Sequence, residues 1–219
     1  MKEQKMDLKN LKVYQDGARL EDVRSQAKND IISGFTTNPT LMAKAGVKSY
    51  KAYCFDLIDA SEGKPISFEV FSDDFKSMES EAREIASWAE NVFVKIPVTN
   101  TKAIPATGLI SALSKDGIKL NVTAIFTSDQ FTEVVASLSE DVESIISVFA
   151  GRIADTGVDP KPIMAQYADQ LSASANKKLL WASPREILNL YQAIETNCDI
   201  ITMTPDLISK MKFYQKDLG

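Results

Sequence analysis

With 219 residues, 44% of them hydrophobic and 25% charged, the chain can bury a sizeable core, as one large barrel or as one or two smaller domains. A formal net charge of −5 disfavours nonspecific nucleic-acid binding but still allows a local basic patch that holds a phosphate. Histidine is absent, which removes histidine triads, histidine-ligated zinc and imidazole acid–base chemistry, so catalysis falls to carboxylates, lysine, tyrosine, hydroxyls or a cofactor.

The first ten residues, Met1 to Asn10, are polar and lack the apolar stretch of a secretory signal. The predicted elements then follow in a regular order. Strand one, Lys12–Asp16, ends on a carboxylate. Strand two, Gly34–Asn38, closes with Thr36, Thr37 and Asn38 just before Pro39, and a helix-like stretch Lys48–Ala60 follows. Strand three, Ile66–Phe71, carries Glu69 and leads into a helix over Ser72–Ala89. Strand four, Val92–Val98, holds Lys95 within an apolar run, and Thr101–Ser114 follows as a helix. Strand five, Lys119–Phe126, carries Asn121 and Thr123, whose spacing of two puts both on one face. A helix over Ser128–Ser137 comes next. Strand six, Ser144–Gly151, repeats that spacing with Ser147 and Phe149 and runs into Arg152. Asp159-Pro160 then opens a helix over Pro160–Ala175. Strand seven, Lys178–Ser183, is followed by Ser183-Pro184, read as an N-cap with proline at the first helical position of Pro184–Glu195. Thr204-Pro205 repeats the device after strand eight, Asp199–Thr204. The final stretch, Ile208 to Leu218, is amphipathic and suits packing on a neighbour or folding back over the barrel mouth. Assembly into a homo-oligomer therefore stays open.

Eight βα units with near-continuous apolar strands imply a parallel sheet covered by helices, closed as a (β/α)8 TIM barrel in one domain over residues 1–219. No GxGxxG or GxxxxGK[ST] run follows an early strand, which argues against dinucleotide and P-loop folds. No apolar run is long enough to span a bilayer, and Cys54 and Cys198 form no CxxC pair. A cytoplasmic protein with reduced thiols and no membrane partner is the simplest expectation.

In such a barrel the chemistry sits at the C-terminal ends of the strands. Burial of Lys95 would favour the neutral, nucleophilic amine that Schiff-base formation requires; the alternative is a lysine whose head snorkels to water. Asp16 and Glu69 could move protons beside that amine, or simply form an interior salt bridge with it. The hydroxyls and amides of Thr36, Asn38, Asn121, Thr123 and Ser147 could hold a polar ligand or satisfy one another. Arg152, Ser183 and Arg185 follow strands six and seven, where barrel enzymes often bind phosphate; surface pairing of the arginines with acids is the alternative.

Five segments together resemble the transaldolase family, including its smaller members and the related fructose-6-phosphate aldolases. Gly34-Phe35-Thr36-Thr37-Asn38-Pro39-Thr40-Leu41-Met42 is similar to the family's T-[ST]-N-P signature, and Val94-Lys95-Ile96-Pro97 to the segment bearing its Schiff-base lysine. Leu120-Asn121-Val122-Thr123-Ala124-Ile125-Phe126 is similar to its N-x-T strand. Ser147-Val148-Phe149-Ala150-Gly151-Arg152-Ile153 is similar to its S-x-F-x-G-R-I segment, and Ala182-Ser183-Pro184-Arg185 to its A-S-x-R segment. The matches occur in family order between about Asp16 and Pro205. The resemblance implies transfer of a dihydroxyacetone unit between sugar phosphates, with Lys95 as nucleophile and Asp16 as acid–base for the carbon–carbon step. It implies Glu69 and Thr123 on the water of Schiff-base chemistry, and Thr36, Asn38, Asn121 and Ser147 on the donor's hydroxyls. It implies Arg152, Ser183 and Arg185 on the acceptor's phosphate, and no metal or organic cofactor.

Fructose-6-phosphate aldolases resemble transaldolases with Gln and Tyr where this chain has Glu69 and Phe149, so the resemblance favours transfer over cleavage to free dihydroxyacetone. A lyase of that kind and a non-catalytic sugar-phosphate-binding barrel are the alternatives. The chain departs from the family at Gly17-Ala18, at Phe35 and at Pro184, which leaves the acceptor sugar open.

Overall fold

Alternation along each strand dictates two environments, one inside a closed sheet and one against the helices outside it. The computed structural model describes residues 7–44, 46, 47, 49–213 and 216, and it separates the two cleanly. Eight parallel strands close into a barrel in the order of the sequence: β1 (Lys12–Asp16), β2 (Ile32–Thr36), β3 (Ile66–Glu69), β4 (Val92–Pro97), β5 (Leu120–Ile125), β6 (Ser144–Val148), β7 (Lys177–Trp181) and β8 (Ile200–Met203), with β8 paired to β1. This is the expected (β/α)8 TIM barrel.

Outward residues such as Val13, Phe35, Phe68, Val94, Ile96, Val122, Ile146, Leu179, Trp181 and Met203 form one continuous core with the helices. Inward, Tyr14, Phe93, Ile145, Leu180 and Ile200 form a second cluster that plugs the barrel. Each fully buried side chain of this size contributes about 1.5–3 kcal/mol. The plug dictates one glycine. A Cβ at Gly34 would lie 2.6 Å from the Tyr14 ring, so only a residue without a side chain lets that ring fill the bore. Burial raises the Tyr14 phenol well above its ordinary range, and the nearby Glu143 charge adds to this.

The covering helices are α1 (Leu20–Ala27), α2 (Pro39–Lys44), α3 (Tyr50–Ala60), α4 (Phe75–Ala86), α5 (Thr107–Lys115), α6 (Ser128–Ser137), α7 (Ala150–Asp155), α8 (Lys161–Leu171), α9 (Leu188–Glu195) and α10 (Pro205–Lys210). Side-chain oxygens set several starts. Asp74 accepts from the Ser77 amide ahead of α4, Thr127 and Gln130 form a capping box at α6, and Asp159 accepts from the Lys161 amide at α8. Phe131 of α6 and Tyr167 of α8 stack with centroids 3.8 Å apart, tying two layers of the helical ring.

Some predicted boundaries move. Ser183-Pro184 does not start a helix: Ser183 has φ of +57°, outside the extended geometry of an N-cap, and α9 begins only at Leu188. The segment predicted as helical from Thr101 instead makes a tight loop. Asn100 accepts from the amides of Lys102 and Ile104, and Thr99 bridges to Pro105 before α5 begins at Thr107. β2 stops at Thr36 and β6 at Val148, so Asn38 and Phe149 sit in the loops beyond them. Of the helix predicted over Lys48–Ala60, Lys48 lies outside the described residues and the rest begins at Tyr50. In the amphipathic C-terminal stretch, Ile208 and Met211 pack into the chain's own core, while 214, 215, 217 and 218 lie outside the described residues. No helix among the described residues is long and apolar enough to cross a membrane.

Candidate active site

Above the apolar plug the inward face turns polar, because each strand places its next inward residue two positions on. Strand pairing brings Glu69 beside Lys95, and Lys95 beside Asn121. A cavity of about 180 Å³ opens at this level and is lined by Asp16, Thr36, Asn38, Lys95, Thr123, Ser147, Phe149, Arg152, Ala182, Ser183 and Thr202. A second lobe shares Asn38, Lys95, Thr123, Phe149 and Arg152 with it and reaches Glu69.

Lys95 is 8% exposed, so its head does not snorkel to bulk water. Its Nζ donates to the Thr37 carbonyl oxygen at 3.1 Å and lies 3.2 Å from Glu69 Oε2. The interior salt bridge read from the sequence as an alternative is therefore formed. It also gives the amine an acceptor for the proton it must shed before it can attack a carbonyl. The Tyr50 hydroxyl donates to the backbone oxygen of Glu69 at 3.0 Å and so anchors the strand end that carries the acid.

Asp16 has a different setting. Burial raises its carboxyl above the ordinary carboxylate range, and the positive charge of Lys95 and a hydrogen bond from Thr36 pull partly the other way. Thr36 Oγ1 donates to Asp16 Oδ1 at 2.8 Å and lies 2.6 Å from Thr202 Oγ1. Two carboxylates thus flank one amine, one ion-paired with it and one held in a drier corner.

The amide and hydroxyls beneath divide between themselves and the cavity. Asn121 is fully buried under the floor; it donates to Ser67 Oγ at 3.0 Å and accepts from Ser147 Oγ at 2.7 Å. The mutual satisfaction expected of such groups holds for this trio. Thr123 differs, since its buried hydroxyl has no hydrogen-bond partner in the structure and remains available to a water or substrate atom. Asn38 faces the cavity from the β2 loop, where its side chain accepts from the Leu41 amide at 2.9 Å.

At the rim, loops six and seven press together. A Cβ at Gly151 would sit 1.6 Å from the Ser183 backbone oxygen, so this approach requires glycine. Arg152 is exposed, reaches the cavity, and lies 5.8 Å from the centre of the Phe149 ring, which itself meets Phe126 edge-on. Arg185 does not join it. Asp155 takes its guanidinium through both carboxylate oxygens, which also holds the Asp155 carboxyl below its ordinary range. The structure therefore gathers ten of the twelve sequence-selected residues around the opening, with Asn121 one layer below and Arg185 clamped outside the lining.

Thr202 and Ser67 were missed by the sequence reading, although their spacing of two from Ile200 and Glu69 marks them as inward-facing. Asp155, the clamp on Arg185, carried no signal at all. The two thiols stand apart from the site. Cys54 and Cys198 are buried and unpaired with each other, and burial pushes each up to about 12, which leaves them inert as nucleophiles at neutral pH. Among the described residues no group of three or more Cys, Asp or Glu side chains could hold a metal ion.

This arrangement fits the comparisons with known proteins. The family model for Transaldolase/Fructose-6-phosphate aldolase matches residues 13–217. A probable transaldolase of Dehalococcoides mccartyi is 32% identical over 204 residues, 92% of this chain and 90% of that one. A probable transaldolase of Roseiflexus castenholzii is 35% identical over 193 residues, 88% and 85% of the two chains. Among solved structures, Ruminococcus gnavus sialic acid aldolase superposes with a TM-score of 0.58 at 14% identity, over 89% of this chain and 68% of that one, a likeness of fold alone. With a match that runs almost end to end and relatives above 30% identity, the chain belongs to the transaldolase/fructose-6-phosphate aldolase family.

Proposed function

We propose that this family member is a transaldolase. It detaches a dihydroxyacetone unit from a ketose phosphate, holds it as a Schiff base on Lys95, and passes it to an aldose phosphate. One observation carries the reading: a buried amine lies 3.2 Å from one carboxylate and shares its cavity with a second.

In this reading Lys95 passes a proton to Glu69 and attacks the C2 carbonyl of the donor. Thr123 offers its unspent hydroxyl to the water that leaves as the carbinolamine collapses to the iminium. Asp16 then takes the proton of the C4 hydroxyl, the C3–C4 bond breaks, and its electron pair passes into the iminium to give an enamine. The leaving aldose phosphate is replaced by the acceptor, and the same steps run in reverse. The iminium is itself the electron sink, so no metal or organic cofactor enters the scheme. Ser147 and Asn38 hold the hydroxyls of the bound fragment, with Asn121 setting Ser147 from below and Thr36 setting Asp16. Arg152 and Ser183 receive the phosphate, and Arg185 steadies that rim through Asp155. The natural setting in this reading is sugar-phosphate interconversion of the pentose-phosphate type, in the cytoplasm.

Phe149 favours transfer over release. Its ring stands at the cavity wall without a hydroxyl that could bring water to the enamine, so the fragment waits for an aldehyde. Borohydride added with fructose 6-phosphate is expected to fix a mass adduct on the peptide containing Lys95. An adduct elsewhere, or transfer by Lys95→Ala at the wild-type rate, would remove the assignment. Free dihydroxyacetone formed as fast without acceptor as with it would instead mark a lyase.

A further inference from the structure

Given the reading in which Asp16 is the base for carbon–carbon cleavage, we propose that Thr202 is a positioning residue that acts through Thr36 to fix which oxygen of Asp16 meets the substrate. Asp16, Thr36 and Thr202 stand on three adjacent strands, β2, β1 and β8 lying side by side. Thr36 Oγ1 donates to Asp16 Oδ1 at 2.8 Å and lies 2.6 Å from Thr202 Oγ1. A hydroxyl has one proton to give. Thr36 gives its proton to the carboxylate, so in the second contact it accepts and Thr202 donates.

The hydrogen bonds therefore run one way, from Thr202 to Thr36 to Asp16. A hydroxyl that accepts while it donates is polarised and donates more strongly. The threonines are 2% and 6% exposed, so water barely competes, and β-branching restricts the rotation of each about its first side-chain bond. Oδ1 is thereby committed as an acceptor, and Oδ2 is left for the cavity that Asp16 lines. The proton leaving the C4 hydroxyl goes to Oδ2. The O–H electron pair becomes the new carbonyl bond, the C3–C4 pair enters the iminium, and Oδ2–H returns its proton when the acceptor adds. Two other charged groups line this cavity, Lys95 on β4, which draws Asp16 towards its ionised form, and Arg152 on α7; Glu69 on β3, ion-paired with Lys95, lines the adjoining lobe.

Thr202→Val keeps the shape and deletes the donor. Single-turnover cleavage of the donor ketose phosphate, followed against pH, is expected to slow about 3- to 10-fold with KM unmoved. Its acid limb is expected to move to higher pH, because a carboxylate that loses hydrogen-bond donation holds its proton more tightly. Thr202→Ser is expected to restore both, and borohydride trapping on Lys95 to proceed as in wild type. An unmoved acid limb in Thr202→Val, or a serine variant as slow as the valine one, would overturn the proposal. Asp16→Asn separates the two levels. Normal cleavage by that variant refutes Asp16 as the base, whereas its inactivity beside an unshifted Thr202→Val profile refutes the relay alone. If the valine variant fails to fold by circular dichroism, Thr36→Val must show the same displaced limb, and an unshifted limb there overturns the proposal equally.

Discussion

The lower and upper halves of the barrel interior are built by the same strands yet do opposite things. Tyr14 and Asp16 are two residues apart on β1, Phe93 and Lys95 on β4, Ile145 and Ser147 on β6, Ile200 and Thr202 on β8. In each pair the first residue is apolar and fills the bore, and the second is polar and faces the cavity. The comparison teaches that stability and chemistry are separated along the strand by one inward step. The plug excludes water from below, so the polar layer above it can keep an ion pair and a raised carboxylate without becoming a channel.

The sharpest way to break this comparison is a substitution in the upper layer that removes activity but not the fold. Lys95→Ala is expected to reduce transfer on the order of 10⁴-fold or more, with circular dichroism unchanged. A variant that is inactive because it unfolds would show that the two layers are not separable. Asp16→Asn is expected to lose about 10²- to 10⁴-fold in the same assay. It also sharpens the point through stability. Because burial raises the folded-state pKa of Asp16, ionisation costs stability as pH rises through that value, so Asp16→Asn should melt at a higher temperature than wild type near pH 7. That advantage should vanish as pH falls below the unfolded carboxylate value of about 3.9. A lower melting temperature at neutral pH would contradict it.

The lower layer should give the reverse result. Phe93→Ala, which empties part of the plug, is expected to destabilise by about 3–5 kcal/mol in denaturant unfolding. Activity per folded molecule should stay close to wild type, and a loss of turnover larger than the loss of fold would count against the separation. The smallest effect is expected at the rim. Asp155→Ala releases the Arg185 guanidinium beside an exposed site, which should hardly move the melting temperature. Because the clamp that steadies the phosphate-binding rim is lost, it should raise KM for a phosphorylated acceptor while leaving an unphosphorylated one unaffected. Equal effects on both acceptors would place Arg185 outside phosphate recognition.

Much of this was legible in the chain. The alternation of β-branched runs and amphipathic stretches, repeated eight times, implied the barrel, and periods of two pointed Asn121 with Thr123 and Ser147 with Phe149 into it. Strand ends were less legible, as at Asn38 and Phe149, because loops six and two begin with residues that suit an extended chain equally well. Ser183-Pro184 reads as a helix start, yet Ser183 adopts a left-handed backbone as its loop closes over Gly151.

The order of polar and apolar letters by itself determined a closed parallel barrel, the absence of imidazole chemistry, and a lysine set among carboxylates and hydroxyls, because periodicity and residue type need no third dimension. Only the tertiary structure decided which groups spend their hydrogen bonds on one another. It paired Lys95 with Glu69, ran Thr202 through Thr36 to Asp16, left Thr123 unspent and tied Arg185 to Asp155. The physical reason is that partnership depends on distances of about 3 Å between strands and loops far apart in sequence, and no local pattern encodes them.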